Sequence, residues 1–229
     1  MAERRDYDGS IRNAMAELIS GIEQDAAVER TLSRVTAAAV DLVDGIDYAD
    51  VMVIADGRSQ SVSATAPLVI DLDAVQISLG QGPCLAAAVG GAMILCPDMR
   101  EEQRWPCFAE AAVTAGVHSM LSFQLISHGN GAGALNLFGR APRTTDPAAE
   151  AIGALLATVA TIALMTADRG KQFASALASR DEIGQAKGIL MNHFRIDATR
   201  AFDMLRRLSQ DGNIPLRTIA KRIIESDAL

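Results

Sequence analysis

The feature that most restricts this chain is a helical period running from Asp146 to about Asn192. Ile152, Leu155, Leu156, Val159, Ile162 and Ala163 fall at three- and four-residue spacing and form one apolar stripe. Asp168-Arg169-Gly170-Lys171 interrupts it, and Phe173, Leu177, Ile183 and Leu190 resume it. A single helix of about 45 residues is about four times the usual length. An element of that reach connects modules or forms a dimer seam, and a break near Gly170 is equally admissible by sequence. Either way the chain reads as two modules joined by a helix.

Upstream, residues 11–23 are polar and helical in pattern, a lead-in helix. Val28, Leu32, Val35, Ala39, Leu42 and Val43 predict an amphipathic helix from about Asp25 to Val43. The period then changes to two at Asp50–Ala55 and Ser59–Ala64, which flank the hairpin turn Asp56-Gly57. Ala92–Cys96 reads as a short buried strand ending at Pro97, and a helix around Phe108 to Ala115 stops at Gly116. Ser119–Ser127 and Ala132–Phe138 form a second hairpin around Gly129-Asn130-Gly131, which supplies positive-φ positions. A helix followed by an antiparallel sheet with helical loops is an α+β domain.

Downstream, Asp197 is a good N-cap for a helix carrying Ala201, Phe202, Leu205 and Leu208. Asn213-Ile214-Pro215 opens a last helix, with Pro215 in its first turn and Leu216, Ile219, Ala220 and Ile223 on one face. Short helices of this kind bury their apolar faces by closing on each other as a small bundle. Phe202 reads as a core residue there.

Composition narrows the function classes. Of 229 residues, 49% are apolar, and these are aliphatic rather than aromatic, which is the balance of a globular protein. The longest apolar stretches are broken by Asp, Gly or Arg short of the ~18 residues a membrane span needs. The N-terminus is charged without an apolar region behind it, so no signal peptide is expected. Three cysteines without a framework spacing read as reduced thiols, and the expected compartment is the cytoplasm. The whole chain carries −7, but from Arg180 onward nine Lys/Arg face seven Asp/Glu. An acidic body with a locally basic tail directs any polyanionic partner to the tail.

Catalysis finds few of its usual parts. His118, His128 and His193 form no i, i+4 pair and none stands beside a cysteine pair, so zinc and triad chemistry are not expected. Cys84 follows a Gly-Pro turn and is the strongest redox candidate among Cys84, Cys96 and Cys107, although a small buried hydrophobe is the favoured reading. Gly129–Gly133 lacks the Gly-Lys-Ser/Thr ending of a phosphate loop, and a hairpin turn explains it better. Leu79-Gly80-Gln81-Gly82-Pro83-Cys84 is the most unusual loop. It either turns a corner or lets the backbone approach a ligand, and loop statistics favour the corner. No metal site and no cofactor motif is evident.

Two stretches resemble known families. Ile183-Gly184-Gln185-Ala186-Lys187-Gly188-Ile189-Leu190-Met191, then Ala201-Phe202 with Leu205, Ser209-Gln210, Asn213 and Leu216 through Ala220, resemble the ANTAR domain over essentially all of residues 175–227. Residues 25–140 are similar to a GAF domain in the helix–hairpin start, the Gly-Gln-Gly-Pro-Cys loop and the closing Gly-Ala-Leu-Asn-Leu-Phe strand. The combination resembles actinobacterial GAF–ANTAR proteins.

The resemblance implies a dimeric regulator that binds hairpin RNA in nascent transcripts and favours an antiterminator over a terminator, with the GAF domain as sensor or dimerisation scaffold. The expected order is a lead-in helix over 1–24, a GAF-like sensor over 25–145, a connecting helix or dimer seam over 146–174 and an ANTAR RNA-binding module over 175–229. The candidate RNA-binding residues are Lys187, Arg206, Arg207, Ser209, Gln210, Asn213, Arg217, Lys221 and Arg222. The cations suit phosphates and the polar side chains suit exposed loop bases. Gly80, Gln81, Gly82 and Cys84 are the candidate ligand-binding residues of the sensor. The alternative is a DNA-binding or protein-interaction regulator whose C-terminal bundle only dimerises.

Overall fold

A computed structural model describes residues 28–55, 58–126, 132–143 and 146–227, together with Gly9, Asn13, Met15 and Ala16. Most of the expected lead-in helix, the Asp56-Gly57 turn and the Gly129–Gly131 turn lie outside the described residues. The elements are α1 (Val28–Leu42), β1 (Tyr48–Ala55), β2 (Arg58–Ala64), α2 (Pro67–Leu79), α3 (Pro83–Val89), β3 (Met93–Cys96), α4 (Pro106–Thr114), β4 (Ser119–Ile126), β5 (Ala132–Gly139), α5 (Pro147–Phe194), α6 (Ala198–Gly212) and α7 (Leu216–Asp227). The chain divides into two compact units between Asp168 and Arg169. The long period of the sequence is realised as one helix, α5, without a break at Gly170.

The strands form an antiparallel sheet in the order β2-β1-β5-β4-β3. Strand alternation sorts its side chains into two cores. Val51, Leu121, Phe123, Leu125, Leu135 and Leu137 meet α1, through Leu32, Val35 and Ala39, and the start of α5, through Ile152, Leu156 and Ala160. On the other face Met52, Met120, Ala134 and Phe138 meet Val69 and Leu72 of α2, Cys84 and Ala87 of α3, and Phe108 and Ala112 of α4. The central strand β5 is therefore buried over nearly its whole length. Fully burying each Leu, Met or Phe side chain contributes about 1.5–3 kcal/mol, so these two layers dominate the stability of the unit.

One helix, α2, was not expected. In α2 the sequence Pro-Leu-Val-Ile-Asp-Leu-Asp-Ala-Val-Gln-Ile-Ser-Leu has no clean stripe, because apolar Ile70, Ile77 and Leu79 face solvent while Asp73 and Gln76 are buried. Pro67 opens this helix and Gly80, in the left-handed region at φ 63°, closes it. Pro83 then opens α3, so the unusual loop is a helix-to-helix corner.

Residues Pro147–Gly170 of α5 correct one expectation, since this segment is long and apolar enough by length and composition to cross a membrane. Its buried stripe instead packs on the sheet, as the core helix of a globular unit does.

In the second unit α5, α6 and α7 close around Ala186, Leu190, Ala201, Leu205, Ile219 and Ala220. Ala186, Ala201 and Ala220 are wholly buried, and small residues at those points let the helix backbones approach closely. Asp197 caps α6 as expected, its side chain accepting from Arg200 N–H. Phe202 departs from expectation: it is 42% exposed, and Leu208 is 49% exposed. Ala201 and Leu205 already fill the contact, and Phe202 sits one residue off their line.

Candidate functional site

Strand register builds a polar row inside the first unit. Asp50 on β1 pairs directly with Asn136 on β5, and Asn136 pairs with Ser122 on β4. Alternation sends all three toward the face covered by α2 and α3, where each is fully buried. Asp73 and Gln76 lie one turn apart on α2 and are buried over the same region.

A β-bulge completes the cluster. The β1–β2 register shifts between Val51 and Met52, so Val51 pairs with Ser63 but Met52 pairs with Ser61. Residues two apart on a regular strand share a face, and the extra residue of a bulge breaks that rule. Ser63 accordingly bonds Thr36 of α1 at 3.2 Å, whereas the Ser61 hydroxyl reaches Asp73 Oδ2 and lies 3.2 Å from Asp50 Oδ2 on the opposite face.

Cys84 joins from the first turn of α3. Its N–H donates to Gln76 Oε1 at 2.9 Å, its sulfur accepts from Asn136 Nδ2 at 3.0 Å, and it lies 3.4 Å from Met52 Sδ. A Cβ on Gly82, where φ is 149°, would stand 2.3 Å from Gln76 Oε1. Glycine there is what lets the loop close over the glutamine.

Burial governs the charges. Desolvation first, then the neighbouring Asp73 charge, pushes Asp50 well above the usual carboxylate range. Desolvation also raises Asp73, while hydrogen bonds from Asp50 and Ser61 pull it back. Burial and mutual repulsion therefore disfavour the doubly ionised pair. Burial, reinforced by the Asp73 and Asp50 charges, pushes Cys84 well above its ordinary value, and Cys96 is pushed up to about 12, chiefly by burial. Both sulfurs are held as thiols, which suits small packing groups better than nucleophiles.

In the second unit Glu182 of α5 gathers two cations of α7. Arg217 donates to its carboxylate through Nε at 2.6 Å and Nη2 at 3.2 Å, and Lys221 Nζ lies 3.8 Å away. Arg217 Nη1 also donates to Ser175 Oγ at 3.3 Å. Hydrogen bonding to Arg217, foremost, holds the Glu182 carboxyl below its usual range. On α6, Arg206 pairs with Asp203 at 3.4 Å. Arg207, Gln210, Lys221 and Arg222 are exposed, and Lys187 is half-buried.

A family model described as a GAF domain matches residues 25–165, and one described as an ANTAR domain matches residues 171–224. The chain belongs to the GAF–ANTAR regulators. ANTAR domains are RNA-binding antiterminator modules and GAF domains are sensors, so this GAF–ANTAR protein combines a sensory and a regulatory unit. No curated protein matches the chain.

Among solved structures, the GAF–ANTAR chain is similar to the N-acylhomoserine lactone-dependent LuxR-family transcription factor CepR2 from Burkholderia cenocepacia, with TM-score 0.58, 15% identity, and 69% of this chain and 98% of that chain covered. It is also similar to the chromophore-binding domain of the bacteriophytochrome RpBphP3 from R. palustris, with TM-score 0.54, 13% identity and coverage of 72% and 63%. The free methionine-R-sulfoxide reductase from Neisseria meningitidis gives TM-score 0.53, 13% identity and coverage of 70% and 91%. These likenesses establish the fold.

Within the GAF–ANTAR chain the residues expected from sequence fall into distinct settings. Gly80 is exposed and caps α2, Gln81 is half-buried, and Gly82 and Cys84 turn into the core against Gln76. Ser209 and Asn213 have structural tasks: Ser209 Oγ donates to the Ile214 carbonyl at 2.6 Å, and Asn213 caps α6 in the left-handed region at φ 47°. Asp50, Ser61, Asp73, Gln76, Ser122 and Asn136 were not anticipated. A signal existed for two of them, since Asp50 and Asn136 occupy core-facing positions of otherwise apolar strands.

Proposed function

We propose that this protein is a cytoplasmic antitermination regulator that binds hairpin RNA in nascent transcripts as a homodimer, under control of its GAF domain. The observation that carries the reading is the ANTAR match over 171–224, which coincides with a helical bundle whose core leaves Arg206, Arg207, Lys221 and Arg222 exposed. Phosphates meet these cations together with Lys187 and Arg217, while Gln210, Ser209 and Asn213 offer hydrogen bonds to unpaired bases. The division into a lead-in over 1–24, a sensor over 25–145, a connecting helix over 146–174 and an RNA-binding module over 175–229 follows this reading. In it, α5 carries the sensor's state to the RNA-binding unit, and the Gly80–Cys84 corner borders the sensor's ligand.

Titration of a hairpin RNA against duplex DNA of equal length tests it. Tighter binding of the hairpin, weakened by Lys187→Ala and by paired Arg217→Ala/Lys221→Ala with a shallower salt dependence, supports the proposal. Undiminished binding by both variants removes these residues from the interface. Equal affinity for DNA favours the second reading, in which the bundle binds DNA or other proteins. That reading draws support from exposed Phe202 and Leu208 on α6.

A further inference from the structure

The buried row of the GAF domain carries more polar capacity than its own hydrogen bonds consume. Asp50 Oδ1, Asp73 Oδ1, Asn136 Oδ1, Ser122 Oγ and Gln76 Nε2 have no partner among the described residues. Each of these five residues is 2% exposed or less. Buried polar atoms in native folds are nearly always satisfied, so several together on one face mark a place where something else is bound.

The orientation of the two amides is set by their neighbours. A backbone N–H only donates, so the Cys84 N–H fixes Gln76 Oε1 toward it and turns Nε2 away. Asn136 Nδ2 donates to the Cys84 sulfur, which leaves Oδ1 open. Three of the five open atoms are oxygens of carboxyl or amide groups, Ser122 serves either way, and Gln76 alone brings a dedicated donor. The deficit is in donors and, with two carboxyls present, in positive charge.

We propose that this cluster is the ligand site of the sensor and that it takes a small organic cation bearing N–H groups, a primary ammonium or an amidinium. The inference rests on the reading of the GAF domain as a sensor. Asp50, Asp73 and Asn136 Oδ1 accept from the cation, and Gln76 Nε2 donates to any carbonyl the ligand carries. Binding ionises the carboxyl pair: the O–H bond of its protonated member breaks, the proton leaves to solvent, and the cation supplies the counter-charge that burial withholds. The other titratable groups facing Asp50 are Asp73 on α2 and Cys84 on α3, while β2, β4 and β5 contribute the non-titrating Ser61, Ser122 and Asn136. With one proton released per cation, affinity rises about tenfold per pH unit while the pair holds its proton in the free protein.

The test uses the full chain with methylammonium, acetamidinium, tetramethylammonium and neutral acetamide at equal ionic strength. Thermal unfolding and the side-chain amide resonances of Gln76 and Asn136 are followed. Methylammonium or acetamidinium at saturation is expected to raise the Tm of the sensor unit by about 5 °C. The two amides shift with it, and affinity falls as pH is lowered. Asp50→Asn and Asp73→Asn, each verified as folded by its own unfolding transition, lose the response. Equal effects of tetramethylammonium overturn the proposal, as does silence from all four probes. A pH-independent response to acetamide alone overturns the cation but keeps the sensor. RNA affinity, measured with and without methylammonium, then judges the sensor reading separately: a cation that binds the cluster without changing RNA affinity upholds the site and overturns gating.

Discussion

Glu182 and Arg217, 35 residues apart, form a two-point ion pair with Arg217 Nε 2.6 Å from Glu182 Oε2 and Nη2 3.2 Å from Oε1. Lys221 approaches the same carboxylate at 3.8 Å, so one acidic side chain occupies two cations proposed to hold phosphates. An RNA phosphate must compete with Glu182 for them. Glu182→Gln is expected to tighten hairpin binding by about three- to tenfold at low salt and to lose that gain as screening rises. Binding isotherms at two salt concentrations check this, and weaker binding at low salt would show that Glu182 positions Arg217 instead.

The Asp50–Asp73 pair links stability to pH with a definite sign. Both carboxyls are raised in the folded chain, so the folded state holds a proton that the unfolded chain releases above about pH 4. The contribution is complete below that value and is lost as pH rises through the raised folded value. Asp50→Asn mimics the protonated form. It is expected to match the parent at pH 4 and to exceed it by on the order of 1–3 kcal/mol at pH 8, read from denaturant unfolding.

Two glycines of α5 are expected to respond oppositely to the same substitution. Alanine gains up to about 1 kcal/mol over glycine inside a helix. At Gly170 the added Cβ meets nothing within 4 Å among the described residues beyond its own helix backbone, so Gly170→Ala should stabilise. At Gly153 the Cβ would stand 2.4 Å from the ring of Phe123, itself only 3% exposed, so Gly153→Ala should lose about 1–3 kcal/mol through overpacking. Thermal unfolding of the two variants gives the comparison.

In the ANTAR bundle, Ala201 and Phe202 are neighbours with contrasting roles. Ala201→Leu forces bulk into a wholly buried helix contact and is expected to cost about 1–3 kcal/mol. Phe202→Ser removes an exposed side chain and should alter stability by about 0.5 kcal/mol or less. If Phe202 meets RNA or a partner, only binding falls, and a gel shift beside an unfolding curve separates the two effects.

Periodicity made α1, both hairpins, α5, α6 and α7 legible, because each buries one face and its spacing records that face. It failed at α2, where Ile70, Ile77 and Leu79 are exposed and Asp73 and Gln76 are buried, the reverse of the pattern that reveals a helix. The cations of the ANTAR module were visible from sequence, but their partners were not. Phe202 was read as core because it shares apolar character with Ala201 and Leu205, and only helix contact distinguishes the three.

Except for α2, the sequence by itself determined every element named above, their order and the ANTAR motif, since capping, turn chemistry and helix spacing act over a few residues. The Ala186 and Ala201 positions in that motif are set by how closely helices must approach. Tertiary structure alone decided that Asp50, Asn136 and Ser122 share one row, that a bulge turns Ser61 toward it while Ser63 faces away, and that Glu182 meets Arg217. Those relationships depend on strand register and helix docking between residues far apart in the chain. A shift of one residue in either strand pairing would have sent Asn136 or Ser122 to the opposite face.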